Sequence, residues 1–353
     1  MLTLEGFAKQ YLYGARLFGG VDAEFRDGEV VSVYGGEGSG KTSFLKALCG
    51  AEKAEGRVLL DGVPVERKTD RVIMVFEDGA VFPFKSVYDN LAYPLVIRGM
   101  DKTEIASRVI AAAEEMGIGG CLSLRARALS PAEKRRMSLA RLVVRDARLC
   151  LVDEPSAGLS REDAESVFAD FLPLVRRLAG RGTTVIYSTS DRGEAVAAAD
   201  RMAVLAHGEL KQLAPPSVIR RAPASIWAAQ ALDAHYNFVK CVLTEQNGRL
   251  NLVFGEDDVL DAEFLRGRFA AGYMGKEVLA GWFPEDAGEG KALPVAYTVG
   301  ERDGVLLCTE EGVTERAPEA RREARVRPDI RKTVLFDAAN EFSIMSDNEE
   351  ERV

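Results

Sequence analysis

The octet Gly35-Gly36-Glu37-Gly38-Ser39-Gly40-Lys41-Thr42 constrains this chain more than any other feature. It fits G-x-x-x-x-G-K-[ST] completely. The apolar run Glu29–Tyr34 leads into it and Ser43–Cys49 has helical character, so the octet reads as a strand-to-helix turn. Its glycines let successive backbone N–H groups curl around phosphate oxygens, and the helix N-terminus adds partial positive charge. In that arrangement Lys41 reaches the β- and γ-phosphates of a nucleotide, and the Thr42 hydroxyl ligates Mg²⁺. The loop from Gly35 to Ser43 is therefore a candidate nucleotide cradle. The alternative, a glycine-rich turn that binds nothing, is set aside because motif and context agree.

A second run, Leu149-Cys150-Leu151-Val152-Asp153-Glu154, is an apolar strand ending in two carboxylates. Alone it would mark only a strand end. Beside a phosphate loop it gains meaning: Asp153 can hold Mg²⁺, directly or through water, and Glu154 can polarise an attacking water.

Around these motifs the chain alternates strand-like and helix-like segments. Arg71–Phe76 and Thr183–Tyr187 are further short apolar strands, and Lys102–Met116 is amphipathic and helical. This βα alternation predicts an α/β fold with a mostly parallel, covered sheet and a mainly helical insert at about 78–145. The character changes near Pro215-Pro216 and Pro223. Beyond residue 233 short alternating runs are joined by hairpin signals, Asn247-Gly248 within Val239–Phe254 and Asp303-Gly304 within Val295–Cys308. The predicted division is residues 1–232 and a small β-rich domain at 233–353.

A chain of 353 residues comfortably makes two domains. Its net charge of -9 argues against nucleic acid and against broad attraction to anionic lipid. No apolar run approaches the ~18 residues of a membrane span. Met1–Gln10 has no basic start followed by an apolar core, so no leader is expected. The five scattered cysteines, Cys49, Cys121, Cys150, Cys241 and Cys308, have neither metal nor redox spacing and are expected to be reduced thiols.

"ALSPAEKRRMSLARLVVRDARLCLVDEP" resembles the signature-to-carboxylate segment of ABC ATPases. Val75-Phe76-Glu77 followed by "VFPFKSVYDNLAYPL" resembles their Q-loop and the start of the helical subdomain, and "TTVIYSTSDRGEAVAAADRMAVLAHGEL" resembles the switch region and closing strands. "HYNFVKCVL", "AGWFPEDA" and "VLFDAANEFSIM" resemble landmarks of the OB-like regulatory domain found in maltose and glycerol-phosphate importer ATPases, shortened between Ala287 and Arg331. The resemblance implies a P-loop cassette that binds ATP and Mg²⁺ at a dimer interface. Partners would be a second ABC ATPase subunit, two transmembrane permeases and, indirectly, an extracytoplasmic solute-binding protein. The chain would sit on the cytoplasmic face of the membrane through the permeases. Tyr13, or failing that Tyr11, would stack on adenine, and Phe82–Tyr93 would border a groove for a coupling helix. A core position is the alternative for each of these aromatics.

The sequence departs from that family at four loops. Glu77 replaces the Q-loop glutamine, where a carboxylate could still ligate Mg²⁺ but adds charge beside a triphosphate. Pro131, Ala132 and Glu133 follow Ser130 where the signature has two glycines and a glutamine. Ser160 replaces the D-loop acid, and Ser190 stands at the switch histidine. Neither His207 nor His235 can replace it by sequence position. Ser130-Pro131-Ala132-Glu133 is a good capping box, so the helix start is kept while its phosphate-binding chemistry is lost. Proline lacks an N–H, alanine restricts close approach, and Glu133 would repel a γ-phosphate ~6 Å away by roughly 3 kcal/mol at an effective dielectric of ~20. Nucleotide binding with impaired turnover is the expectation. The competing expectations are a non-catalytic regulatory partner of an intact ATPase and, less favoured, a soluble ABC ATPase with no transporter. That last type lacks support because neither a long coiled-coil insert nor a tandem second cassette is present.

Overall fold

The computed structural model describes residues 1–10, 16–66, 69–77, 79, 81–234, 236–254, 258–270, 272–283, 286–295, 297–302, 305–310, 324–328 and 331–345. The chain divides into two compact units, Met1–Leu210 and Lys211–Val353.

The first unit begins with β1 (Leu2–Gln10), β2 (Arg16–Phe25), β3 (Val30–Tyr34), α1 (Lys41–Leu48), β4 (Glu55–Leu60), β5 (Val63–Pro64) and β6 (Val72–Val75). Three helices follow: α2 (Val87–Ile97), α3 (Lys102–Glu115) and α4 (Pro131–Val144). The chain continues through β7 (Leu149–Val152), α5 (Arg161–Gly180), β8 (Thr184–Thr189), α6 (Arg192–Ala197) and β9 (Arg201–Ala206), and β10 (Glu209–Ala214) straddles the division. Strands β9, β3, β8, β7 and β6 lie side by side in that order and pair in parallel. β7 and β8 are buried throughout, which explains why they read as short apolar runs rather than alternating ones. β1, β2, β4 and β5 make a separate antiparallel sheet.

In a parallel sheet every strand ends on the same edge, and the loops there form a natural crevice. Tyr34 leads into the glycine octet, Val75 into Phe76-Glu77, Val152 into Asp153-Glu154 and Thr189 into Ser190. Segments far apart in sequence therefore meet along one edge. The helix behind the octet is fixed by aromatic packing: Phe44 of α1 meets Phe7 and Phe18 edge-on, with centroids 5.5 and 5.2 Å away. Phe44 is fully buried, and burial of such a ring is worth up to about 3 kcal/mol.

The second unit adds α7 (Pro216–Arg221) and α8 (Ile226–Leu232), then β11 (Asn237–Gln246), β12 (Arg249–Phe254), β13 (Asp258–Asp261), β14 (Glu277–Trp282), β15 (Ala287–Val295), β16 (Tyr297–Arg302), β17 (Val305–Glu310), β18 (Ala324–Pro328) and β19 (Val334–Asp337). Five of these form an antiparallel sheet of order β13-β12-β11-β14-β19. The turn from β11 to β12 uses Asn247 at φ 52° and Gly248 at φ 74°, the two left-handed positions that an Asn-Gly hairpin needs.

One expectation differs from what is found. The division falls at residue 210 rather than 232, because Ile226 and Ala229 of α8 bury their side chains with Leu279, Phe283 and Phe336 of the second unit. β15 pairs with β18, and the register shifts between Gly288 and Leu293. Asp303-Gly304, Tyr11, Tyr13 and His235 lie outside the described residues.

Candidate nucleotide site

The octet wraps as its glycines demand. Gly38 and Gly40 have φ of 73° and 102°, a region that side chains seldom enter. A Cβ on Gly35 would fall 2.5 Å from both the Leu205 carbonyl oxygen and Ser39 Oγ. Lys41 Nζ donates to the carbonyl oxygens of Gly35 at 2.7 Å and Gly36 at 3.1 Å, and pairs with Glu154 Oε1 at 3.2 Å. Glu37 to Ser43 line a cleft of about 640 Å³ together with Leu17, Glu77, Glu154, Ala157 and Ser190.

Asp153 is buried. Its Oδ1 accepts from Thr42 Oγ1 at 3.1 Å and from Ser188 Oγ at 2.6 Å. Ser188 Oγ in turn accepts the Glu154 N–H at 3.0 Å. Glu154 itself has φ 47°, which costs a non-glycine residue about 1–3 kcal/mol. Its Oε2 accepts from the Ser190 N–H at 3.3 Å and the Ser190 hydroxyl at 3.4 Å. Glu77 is exposed on the same cleft.

The arrangement suits a magnesium nucleotide. Ser39 Oγ is buried inside the loop without a hydrogen-bond partner, an acceptor or donor left for a guest. The Thr42 hydroxyl and the Asp153 carboxylate already converge. Magnesium needs only one or two such protein ligands when phosphates supply others.

The signature segment folds as a capping box. Glu133 N–H donates to Ser130 Oγ at 3.2 Å, and Glu133 Oε2 accepts the Ser130 N–H at 2.8 Å, with Pro131 in the first turn. These contacts hold the Glu133 carboxyl below its usual range, and Cys121 Sγ adds a third donor at 3.4 Å. Ala132 is buried, whereas Ser130 and Pro131 are exposed. Ser160, at the D-loop acid position, caps α5 by accepting the Asp163 N–H at 3.2 Å.

Two residues missed by sequence reasoning brace the loops beside the site. Buried Arg135 donates from one guanidinium nitrogen to the Glu154 carbonyl oxygen and from another to that of Ala157, both at 3.0 Å. Glu194 accepts from Ser156 Oγ and, at 2.6 Å, from Thr189 Oγ1. Burial pushes the Glu194 carboxyl above its ordinary value, partly offset by those hydroxyls. A basic or acidic residue on an ordinary helix gives no sequence signal of such a role.

A separate groove of about 390 Å³ lies on the helical insert between Phe82, Tyr93, Ile97, Arg98 and Arg145. Phe82 and Tyr93 stack edge-on at 4.9 Å, and Phe84 and Ile97 nearby are exposed. No helix among the described residues is long and apolar enough to cross a membrane.

The family described as ABC transporter matches residues 18–157. An ABC transporter ATP-binding protein of Bacillus subtilis, YurJ, itself uncharacterized, is 32% identical over 80% of this chain and 78% of its own length. The sulfoquinovosyl glycerol transport ATP-binding protein SmoE of Agrobacterium fabrum is 31% identical over 94% of this chain and 96% of its own. The sn-glycerol-3-phosphate import ATP-binding protein UgpC of Cupriavidus necator is 36% identical over 65% and 63%. Among solved structures, cbiO1 of Clostridium perfringens, part of the ABC transporter complex cbiONQ, superposes with a TM-score of 0.55 at 25% identity, covering 63% of this chain and 95% of its own.

Proposed function

The chain belongs to the ATP-binding proteins of ABC transporters, and from that premise we propose that it is an importer subunit that binds Mg²⁺-ATP and turns it over poorly at its own site. The cleft shared by Lys41, Thr42, Glu77, Glu154 and Ser190 carries this reading. The loop N–H groups and Lys41 hold phosphates. Thr42 and Asp153 would hold a Mg²⁺ ion, which would neutralise phosphate charge. Tyr13 is the candidate for stacking on adenine. Glu154 polarises the attacking water, and Ser190 orients its carboxylate. A serine cannot supply an imidazole's reach or its second nitrogen, so the group that would steady the reacting phosphate is missing.

The relatives' names favour a small carbohydrate-like or glycerol-phosphate-like solute. A second ABC ATPase subunit would close the site with its own signature. A coupling helix of a transmembrane permease would dock in the groove at Phe82, Tyr93 and Arg145, and with two permeases the chain would sit on the cytoplasmic face of the membrane and, indirectly, serve a solute-binding protein. The β-rich second unit fits a regulatory, OB-like domain.

A second reading is favoured by the capping box. Glu133 and the Ser130 backbone N–H are tied up in the capping box, and Pro131 offers no donor, so this signature would clamp a partner's ATP weakly. The chain would then be a non-catalytic regulatory partner of an intact ATPase. Turnover by the purified chain separates the outcomes. Brisk hydrolysis abolished by Glu154→Gln would mean an ordinary importer ATPase. Binding with little hydrolysis supports impaired turnover. A transporter assembled with an intact second ATPase and insensitive to Glu154→Gln points to the regulatory role.

A further inference from the structure

The segment Glu154–Ala157 is gripped from two sides. From the helical insert, Arg135 of α4 reaches the carbonyl oxygens of Glu154 and Ala157, each at 3.0 Å. From α6, Glu194 accepts from Ser156 Oγ and also from Thr189 Oγ1, next to Ser190. Ser190 returns to the Glu154 carboxylate, which closes a ring through the 154–157 loop, the end of β8 and α6. Arg135 is the only one of these gripping side chains that lies on the insert.

We propose that Arg135 is a positioning residue that couples the helical insert to Glu154 and to the 156–160 loop, so that nucleotide binding and movement of α4 are felt together. This rests on the nucleotide reading of the cleft. Three facts favour it over mere packing. The guanidinium is a rigid fork that binds two carbonyls at fixed spacing, so it transmits orientation as well as attraction. One carbonyl belongs to Glu154, whose backbone sits in the left-handed region and must be held there by its surroundings. The same arginine also lines the cleft of about 490 Å³ between α4 and the core, beside Thr42, Glu77 and Asp153. Any closure of that cleft must displace Arg135 or be carried by it.

The test is hydrogen exchange on the full chain with and without Mg²⁺-ATP, read at three peptides: the phosphate loop, α4 and residues 152–160. In the unaltered chain Mg²⁺-ATP should slow exchange at all three. Arg135→Gln keeps a polar side chain but loses the fork. It should leave slowing at the phosphate loop, with affinity changed less than threefold or so, and reduce the ATP-dependent slowing at α4 and 152–160 by about fivefold or more. Arg135→Lys, which can reach one carbonyl, should fall between and serves if the glutamine variant does not fold. A purely structural arginine would alter exchange without ATP and leave the ATP-dependent difference intact, which overturns the proposal. Absence of slowing at the phosphate loop in the unaltered chain overturns the nucleotide reading, and this one with it. Slowing there, with α4 indifferent to both substitutions, overturns this one alone.

Discussion

Ser190 gives both its backbone N–H and its hydroxyl to one oxygen of Glu154, at 3.3 and 3.4 Å, while Lys41 Nζ stands 3.2 Å from the other oxygen. The carboxylate is oriented, yet nothing in this pairing extends past it toward a reacting phosphate.

Lys41→Ala should weaken Mg²⁺-ATP binding at least tenfold or so, because a charge-assisted contact to phosphate is lost from a buried site. Calorimetry measures it. Unchanged affinity would remove the phosphate loop from the proposed site.

Restoring the missing groups should restore turnover. Ser190→His combined with Pro131→Gly, Ala132→Gly and Glu133→Gln should raise hydrolysis by the purified chain roughly tenfold or more, since single preorganised groups contribute about 10²–10³ and do not add simply. Adding Glu154→Gln to that variant should abolish the gain. A gain that survives it would place the general base elsewhere.

The capping box should be a stability element. Ser130→Ala should cost about 1 kcal/mol in the first unit, with Glu133→Gln costing less because an amide oxygen can still accept the Ser130 N–H. Urea denaturation followed by far-ultraviolet dichroism reads both. Equal stability of Ser130→Ala and the unaltered chain would show that α4 is held by packing alone.

Glu194 predicts a pH dependence. Burial raises its folded carboxyl above the ordinary value, so the fold takes up a proton more readily than the unfolded chain. Its neutral form therefore favours folding in acid, and that contribution fades as pH rises through the raised folded value. Glu194→Gln keeps an acceptor for one of Ser156 and Thr189, turns an amide donor to the other, and should flatten stability from about pH 4 up through the raised folded value. Thermal midpoints across that range check it; the same slope in both proteins would assign the titration to another group.

The sequence by itself determined the elements that carry local information. Glycines and a lysine-threonine pair specified the phosphate loop because backbone conformation there admits few side chains. Ser130 to Glu133 specified a helix start, since a capping box is satisfied within four residues. The apolar run Leu149–Val152 marked a buried strand to the residue, and Asn247-Gly248 marked its hairpin. Only the tertiary structure decided how these meet. Strand order brings the ends of β3, β8, β7 and β6 to one edge, so Lys41, Ser190, Glu154 and Glu77 share a cleft although Lys41 and Ser190 are far apart in sequence. Arg135 and Glu194 were not legible, because a charged residue on a helix is ordinarily a solvated one. Their burial against carbonyls and hydroxyls from distant loops exists only once the sheet is assembled. The division at residue 210 was likewise decided by packing: α8 carries no sequence mark of its partner, and the apolar faces of Leu279 and Phe336 determine where it rests. Local hydrogen bonding and backbone sterics are written in neighbouring residues, whereas burial is a property of surfaces that sequence alone does not bring together.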